Sequence, residues 1–271
     1  MRAECGALRF GGRRLGLVPT MGALHEGHLS LLRAARAQCE VVAASIFVNP
    51  TQFGPQEDLA KYPRPFVRDS ELLRAEGVDL LFAPSVEEMY PAGAVTYVNV
   101  EGLSERLCGR SRPGHFRGVA TVVSKLFHVV QPEVAFFGQK DAAQVAVIRA
   151  MVRDLLLAVE IVACPIVRES DGLALSSRNV YLNSEQRRQA LVLYRSLLRV
   201  LQLYDGGELD AGRLIAAGVE EFSREPGVRL DFLEIVNAET LEALESAEAG
   251  ALVAVGGFLG STRMIDNVVL G

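Results

Sequence analysis

The pattern that most restricts this chain is the alternation, through its first 167 residues, of short apolar, β-branched runs with segments of helical period. The runs are RLGLV (Arg14 to Val18), VVAASIFV (Val41 to Val48), VDLLF (Val78 to Phe82), VAFF (Val134 to Phe137) and VEIVACPIV (Val159 to Val167). Between them LSLLRAARAQC (Leu29 to Cys39), VATVVSKLFHVV (Val119 to Val130) and AAQVAVIRAMVRDLL (Ala142 to Leu156) place apolar residues at helical spacing. Strands that are apolar at nearly every position are buried on both faces. Separated by helices, they form a parallel sheet with helices on either side. Ligands of such sheets bind beyond the carboxyl ends of the strands.

After Ser170 the character changes. A long helix is expected over Ser184 to Tyr204 with Ser184 as its N-cap, then the loop DGGELD, then a second helix from about Ala211 to Arg224. RLDFLEIVN, ALVAVGGF and RMIDNVVL follow as three strands of a smaller sheet. Charge changes at the same place: residues 1–167 carry 18 Lys+Arg against 17 Asp+Glu, and residues 168–271 carry 10 against 16. A change from alternating units to helices followed by strands, together with this acidity, predicts a second domain and a poor surface for nucleic acid. The longest apolar runs fall far short of the roughly 20 residues that cross a bilayer, and no export segment is apparent, so a soluble, cytoplasmic protein without a membrane partner is expected. Cysteines 5, 39, 108 and 164 have neither disulfide-like nor zinc-like spacing and read as reduced, buried residues.

Two of the four histidines lie in VPTMGALHEGHLSLL (Val18 to Leu32), where a strand end meets an amphipathic helix. Pro19 is expected to stop the strand, Gly22 to permit a tight turn and Gly27 to allow close backbone approach before a helix starting near His28. Helix N-termini attract phosphate, and imidazoles at positions 25 and 28 can both donate to an anion bound there. Two histidines that only fix the turn, or a metal pair, are the competing readings. The second lacks further ligands nearby, and the pair with both glycines favours phosphate.

Four other stretches carry candidate chemistry. VNPTQFGPQEDLAKYPR (Val48 to Arg64) sets Asn49 and Gln52 at a strand's carboxyl end, where amides suit a substrate with hydroxyls and a carboxylate, or simply make turns. In FGQKDAAQ (Phe137 to Gln144), Gly138 is expected to make the turn, Lys140 to meet phosphate and Asp141 to cap a helix. GRSRPGHFRGV (Gly109 to Val119) holds Arg110, Arg112, His115 and Arg117 around a Pro-Gly turn and reads either as an anion-facing loop or as a solvated basic turn. DGLALSSRN (Asp171 to Asn179) puts two hydroxyls and an arginine in a loop at the domain boundary.

Taken together, PTMGALHEGHLSLL, FVNPTQF, RPGHFRGV, FGQKDAAQ and SSRN resemble, in order and over nearly the whole chain, the pantoate–β-alanine ligase (pantothenate synthetase) family of the His-x-Gly-His nucleotidyltransferase group. The resemblance implies a Rossmann-like, doubly wound parallel sheet binding ATP and pantoate over residues 1–168, and a smaller α+β C-terminal lid domain over residues 169–271. It implies that His25 and His28 contact ATP phosphates, with Lys140, Ser176, Ser177 and Arg178 completing a catalytic cradle. Pro19, Met21, Gly22, Gly138, Asp141, Val167 and Leu175 are the remaining implied ATP contacts. Asn49, Gln52 and Gln144, beside Met21, are the implied pantoate and β-alanine contacts, supported by Arg112 and His115. Leu175 stands where the family usually has methionine, a swap of similar volume. The family has several acids after its YPR element where this chain reads PFVRDSE, so Asp69 stands alone and no protein ligands are assigned to magnesium.

The implied reaction is the ATP-dependent condensation of pantoate with β-alanine through pantoyl adenylate, releasing pyrophosphate and AMP, with ATP and Mg2+ as a substrate complex and a homodimer as the assembly. A nucleotidyltransferase, a tRNA-charging enzyme and a non-catalytic nucleotide-binding module are the competing functions. Only the ligase accounts for Gln52 and Gln144 beside the phosphate-binding residues.

Overall fold

The computed structural model covers residues 1–271. In chain order its helices and strands are α1 (Arg2–Arg9), β1 (Leu15–Thr20), α2 (Glu26–Gln38), β2 (Val41–Ile46), α3 (Phe66–Ala75), β3 (Leu80–Phe82), α4 (Val86–Met89), α5 (Cys108–Ser111), α6 (His115–Val130), β4 (Val134–Gly138), α7 (Ala142–Asp154) and β5 (Glu160–Cys164). Then follow α8 (Ser184–Gln189), α9 (Leu191–Asp205), α10 (Ala211–Ser223), β6 (Val228–Val236), β7 (Leu252–Leu259) and β8 (Thr262–Val269). Strands β1 to β5 form one parallel sheet in the order β3-β2-β1-β4-β5. Chain direction across the sheet reverses between β1 and β4, which opens a crevice past their carboxyl ends. This Rossmann-like sheet is joined by a three-stranded antiparallel sheet, β6-β7-β8.

Several boundaries differ from the expected ones. Pro19 does not stop β1, which runs on to Thr20 and pairs Pro19 with Ser45 of β2. The reason lies in alternation: the amide and carbonyl of Leu15 both face the β4 side, where they bond Glu133, so residue 19 faces that side too. Pairing with β4 ends at Leu17, and proline's missing N–H therefore costs no ladder bond. Strands β2 and β5 end earlier than expected, at Ile46 and Cys164. Ser184 is the first residue of α8 rather than its cap; Asn183 and Gln186 form a reciprocal capping box, and the expected single helix is interrupted at the buried Ala190.

Residues after Ser170 build their own core from Leu193, Leu197 and Leu214 on the helices with Ile235, Val253 and Val255 on the sheet. The alternate residues of that sheet, Phe232, Val236, Leu252 and Ala254, belong to the core that contains α6 and α7. The antiparallel sheet is therefore buried on both faces, which fixes where β8 lies relative to the crevice.

Helix α6 closes the crevice wall through an unusually close contact. A Cβ on Gly118 would stand 2.4 Å from the carbonyl oxygen of Thr51 and 2.7 Å from the amide nitrogen of Gln52. Backbone cannot yield to that as a flexible side chain would. Gly118→Ala is expected to lower stability by about 1–3 kcal/mol, the usual cost of overpacking; urea unfolding with an unchanged midpoint would contradict the contact.

Candidate active site

The loop from β1 to α2 is held from below by a residue with no recognisable motif. Asp69, 1% exposed on α3, accepts the Ala23 N–H at 2.7 Å and the Leu24 N–H at 2.9 Å, one on each carboxylate oxygen. Gly22 has φ +80, and a Cβ there would lie 3.0 Å from the same carboxylate, so it shapes the turn rather than lining the cavity. Asp69 is thus a turn holder, and both its oxygens are occupied.

The two histidines then complete a capping box. Helix α2 begins at Glu26, earlier than expected, with His25 as N-cap and His28 as N3. His25 Nδ1 accepts the Gly27 N–H at 3.1 Å, and His28 Nδ1 accepts the His25 N–H at 3.3 Å. Each ring spends its unprotonated nitrogen on the backbone, which places the remaining proton of the neutral imidazole on Nε2. Gly27 is required beneath this arrangement, since a Cβ would meet His25 Cε1 at 2.9 Å. Burial, then the nearby Lys140 charge, lowers the pKa of His25 to about 4. Burial, then the neighbouring His25, lowers His28 to about 3. Both rings are neutral donors near pH 7.

Across the crevice, β4 delivers Gly138, Lys140 and Asp141. Gly138 has an ordinary extended backbone, so it does not make the turn as expected; no atom lies within 4 Å of where its Cβ would be, and the opening there belongs to the cavity. Asp141 sits at the N-cap position of α7 but makes no capping bond, and its carboxylate lies 3.6 Å from Lys140 Nζ. Gln144, on the first turn of α7, lines the same space.

Asn49 is not a wall residue. It is 1% exposed, donates to Gln52 Oε1 at 3.0 Å and to the Gly118 carbonyl at 3.1 Å, and accepts from Thr51 and Tyr90. Its expected substrate contact is therefore corrected: Asn49 stands behind Gln52 and orients it. With Oε1 occupied, the Gln52 amide turns its NH₂ toward Met21 Sδ, 3.1 Å away. The basic loop is corrected in a similar sense. Arg112 is bound to both oxygens of Glu57, to His115 and to the Gln52 carbonyl. Arg110 pairs with Glu234, and Arg117 stacks on Tyr97. His115 Nδ1 can only donate to the Gln52 carbonyl, 2.8 Å away, so its Nε2 accepts from Arg112. Burial, then the Arg112 charge, lowers its pKa to about 3. Arg112 and His115 line the cavity as a brace for Gln52, with the Arg112 charge already engaged by Glu57.

The loop Ser176 to Arg178 lies over the opening. Ser176 Oγ accepts the Arg178 N–H at 3.2 Å, Ser177 Oγ donates to the Ala23 carbonyl at 3.3 Å, and Leu175 lies against Gly27. Arg178 grips Asp58 with two bonds of 2.9 and 3.0 Å. Burial pushes the Asp58 carboxyl up, but its bonds to Arg178 hold it below its ordinary range. Pro19, Met21, His25, His28, Gln52, Gly138, Lys140, Asp141, Gln144, Val167, Leu175, Ser176, Ser177 and Arg178 all line a cavity of about 180 Å³. That volume is too small for a nucleotide. It adjoins a space of about 750 Å³ lined by the antiparallel sheet, α5 and the starts of α6 and α7, and Lys140, Asp141, Gln144, Ser176 and Arg178 line both. Asp69 and Asp58 were not legible as site residues, because each acts through a partner distant in sequence.

The sequence and the fold both match known proteins. The pantoate-beta-alanine ligase family model matches residues 1–269. The chain is 61% identical to pantothenate synthetase of Koribacter versatilis, covering 100% of this chain and 93% of that one. It is 62% identical to pantothenate synthetase of Acidobacterium capsulatum, covering 97% and 88%. Among solved structures, pantothenate synthetase of Thermus thermophilus superposes with a TM-score of 0.94 at 51% identity over 99% of this chain and 97% of that one. A pantoate-beta-alanine ligase of Francisella tularensis, complexed with beta-gamma ATP and beta-alanine, gives 0.79 at 32% identity over 98% and 95%.

The neutral rings have a consequence for pH. Unfolded imidazoles protonate near their ordinary value of 6.5, while folded His25 resists to about 4 and His28 and His115 to about 3. The unfolded state binds more protons in that interval, so this contribution to stability is complete above about pH 6.5 and is lost as pH falls through about 4 for His25 and about 3 for His28 and His115. Nitrogen NMR of the imidazoles should find all three neutral from pH 8 to about 5.5. A ring titrating near 6.5 would contradict the capping geometry.

Proposed function

The chain belongs to the pantoate–β-alanine ligase family, and from that premise we propose how its site works. The protein is an acid–amine ligase that joins pantoate to β-alanine to form pantothenate, with ATP as a substrate. A free carboxylate resists attack by an amine. In this reading the pantoate carboxylate first attacks the α-phosphorus of ATP and expels pyrophosphate, giving pantoyl adenylate. The neutral amine of β-alanine then attacks the acyl carbon, and AMP departs with the electrons of the acyl–oxygen bond.

The observation that carries this reading is the juxtaposition, in one cavity, of two neutral imidazole donors and Lys140 with the oriented amide of Gln52. His25 and His28 donate from Nε2 to phosphate oxygens that gain charge during attack; being fixed beforehand, they need no reorganisation. Lys140 meets the triphosphate as a point charge. Ser176, Ser177 and Arg178 complete the cradle, with Arg178 exchanging the Asp58 carboxylate for phosphate and never left as an unpaired buried charge. Gly138, Asp141, Pro19, Val167 and Leu175 receive the nucleoside, while Gln52 and Gln144 hold pantoate beside Met21. Positioning and electrostatics suffice without a protein nucleophile. No group of three or more metal-binding side chains converges. In this reading magnesium enters as part of the MgATP substrate, held chiefly by phosphate oxygens, and no protein ligand is assigned to it.

We also assign residues 1–168 to a nucleotide- and pantoate-binding domain and residues 169–271 to a lid domain that keeps water from the mixed anhydride. Ser177 to Ala23, Arg178 to Asp58 and Tyr181 to the Lys61 carbonyl are the contacts such a lid would make and release. The pivot is placed near Glu169 to Gly172; Gly172 has φ +97 and lies against Tyr194. No helix is long and apolar enough to cross a membrane, and four free, buried cysteines suit a reducing compartment. The cysteines and the family resemblance support a cytoplasmic location, and the resemblance supports a homodimer.

With MgATP and pantoate, the purified protein should release pyrophosphate, and β-alanine should be required for sustained turnover to AMP and pantothenate. His28→Ala should lower kcat for pyrophosphate release by about 10²–10³-fold. Turnover indifferent to β-alanine would instead indicate a nucleotidyltransferase. Fluorescence-transfer distances between labels on the two domains should shorten when MgATP binds; equal distances would refute the lid.

A further inference from the structure

The turn that presents Lys140 lacks a cap of its own. Gln139–Asp141 is a single 3₁₀ turn between β4 and α7; Gly138 has no side chain to cap it, and Asp141 makes no capping bond. Backbone groups in such a place require partners. The carbonyls of this turn, rather than its N–H groups, find theirs at the far end of the chain. Asn267 of β8, 2% exposed, donates both N–H bonds of its carboxamide to consecutive carbonyls, Gln139 at 2.9 Å and Lys140 at 3.0 Å. Its Oδ1 accepts from Gln139 Nε2 at 3.2 Å. Every polar atom of this side chain is therefore committed to the one turn that carries Lys140.

Asn267 is itself anchored to the segment that leads into the Ser176 to Arg178 loop. The preceding residue, Asp266, 4% exposed, receives Arg168 through two bonds of 2.6 and 2.9 Å and also accepts the Asn267 N–H at 2.8 Å. Arg168 reaches on to the Asn267 carbonyl at 3.3 Å and the Gly172 carbonyl at 3.0 Å, with its guanidinium over the Tyr194 ring. The Lys140 turn and the start of the loop carrying Ser176, Ser177 and Arg178 thus share one buried hydrogen-bonded junction on β8.

We propose that Asn267 is a positioning residue for the adenylation half-reaction, holding Lys140 in register with the loop through the Arg168–Asp266 junction. This rests on the reading of Lys140 as a triphosphate contact. A misplacement of about 1 Å at a charge-stabilising group can cost about 10²-fold in rate, so the effect should appear in ATP-dependent steps.

The test is a mutant cycle on the full-length protein. Asn267→Ala and Asn267→Ser are each compared with the parent protein and combined with Lys140→Ala, reading kcat/KM for ATP by pyrophosphate release, the Kd of MgATP, and KM for β-alanine. Asn267→Ala should lower kcat/KM for ATP about 10- to 100-fold with KM for β-alanine changed less than about twofold. Asn267→Ser keeps one donor, is less disruptive to folding, and should fall between. In the Lys140→Ala background either change should cost less than about twofold, because its effect passes through the lysine. Equal, additive losses in both backgrounds, or a parallel loss in every parameter, would overturn the positioning role while leaving Lys140 as a phosphate contact. If Lys140→Ala itself leaves ATP binding and pyrophosphate release unchanged, the reading of Lys140 fails, and this proposal with it.

Discussion

Everything at the catalytic end of this molecule depends on how the first turn of α2 satisfies its backbone N–H groups. A helix start normally uses hydroxyl or carboxylate oxygens for this purpose. Here imidazole nitrogens do so, His25 on Gly27 and His28 on His25. The same hydrogen bonds that start the helix determine the tautomer, and the tautomer determines that the outward nitrogen is a donor. Structure and chemistry are coupled at single atoms. Asp69 extends the coupling one layer down, because the turn that delivers His25 is held by both of its oxygens.

The surrounding electrostatics follow a consistent rule. The residues proposed to meet the phosphates as fixed donors, His25, His28 and Lys140, are neutral donors or a cation with little competing partnership, whereas the arginines that shape the walls are neutralised nearby. Arg112 is matched by Glu57, Arg168 by Asp266 and Arg178 by Asp58. Burying a guanidinium without such a partner would cost several kcal/mol. Of these three, Arg178 alone is assigned a second anion, a phosphate, and its loop lies across the boundary between the two sheets.

Much of this was legible beforehand, for local reasons. The parallel sheet was readable because apolar, β-branched strands buried on both faces leave an uninterrupted signal, and each of β1 to β5 overlaps one expected run. His25, His28, Lys140, Gln52 and Gln144 were readable because they lie just past strand ends. The errors have equally local causes. Pro19 looked like a strand stop because a sequence does not reveal on which side a neighbouring strand ends. Asn49 looked like a substrate ligand because an amide beside another amide carries no sign of which one stands behind. Arg112 looked like a free cation because Glu57 is 55 residues away.

By itself, then, the sequence determined the periodicities, the order of the elements, the loops at strand ends and the residue types able to bind phosphate and a hydroxy acid. All of these depend on interactions within a few residues. Tertiary structure alone decided which groups are spent on the backbone and which remain for substrate. Asp69 reaches the turn before His25 across 46 residues to Ala23, and Asn267 reaches the Lys140 turn across 127. Such contacts exist only when sheet register and helix packing bring distant segments within hydrogen-bonding range, and buried polar groups must then pair with whatever the fold places beside them.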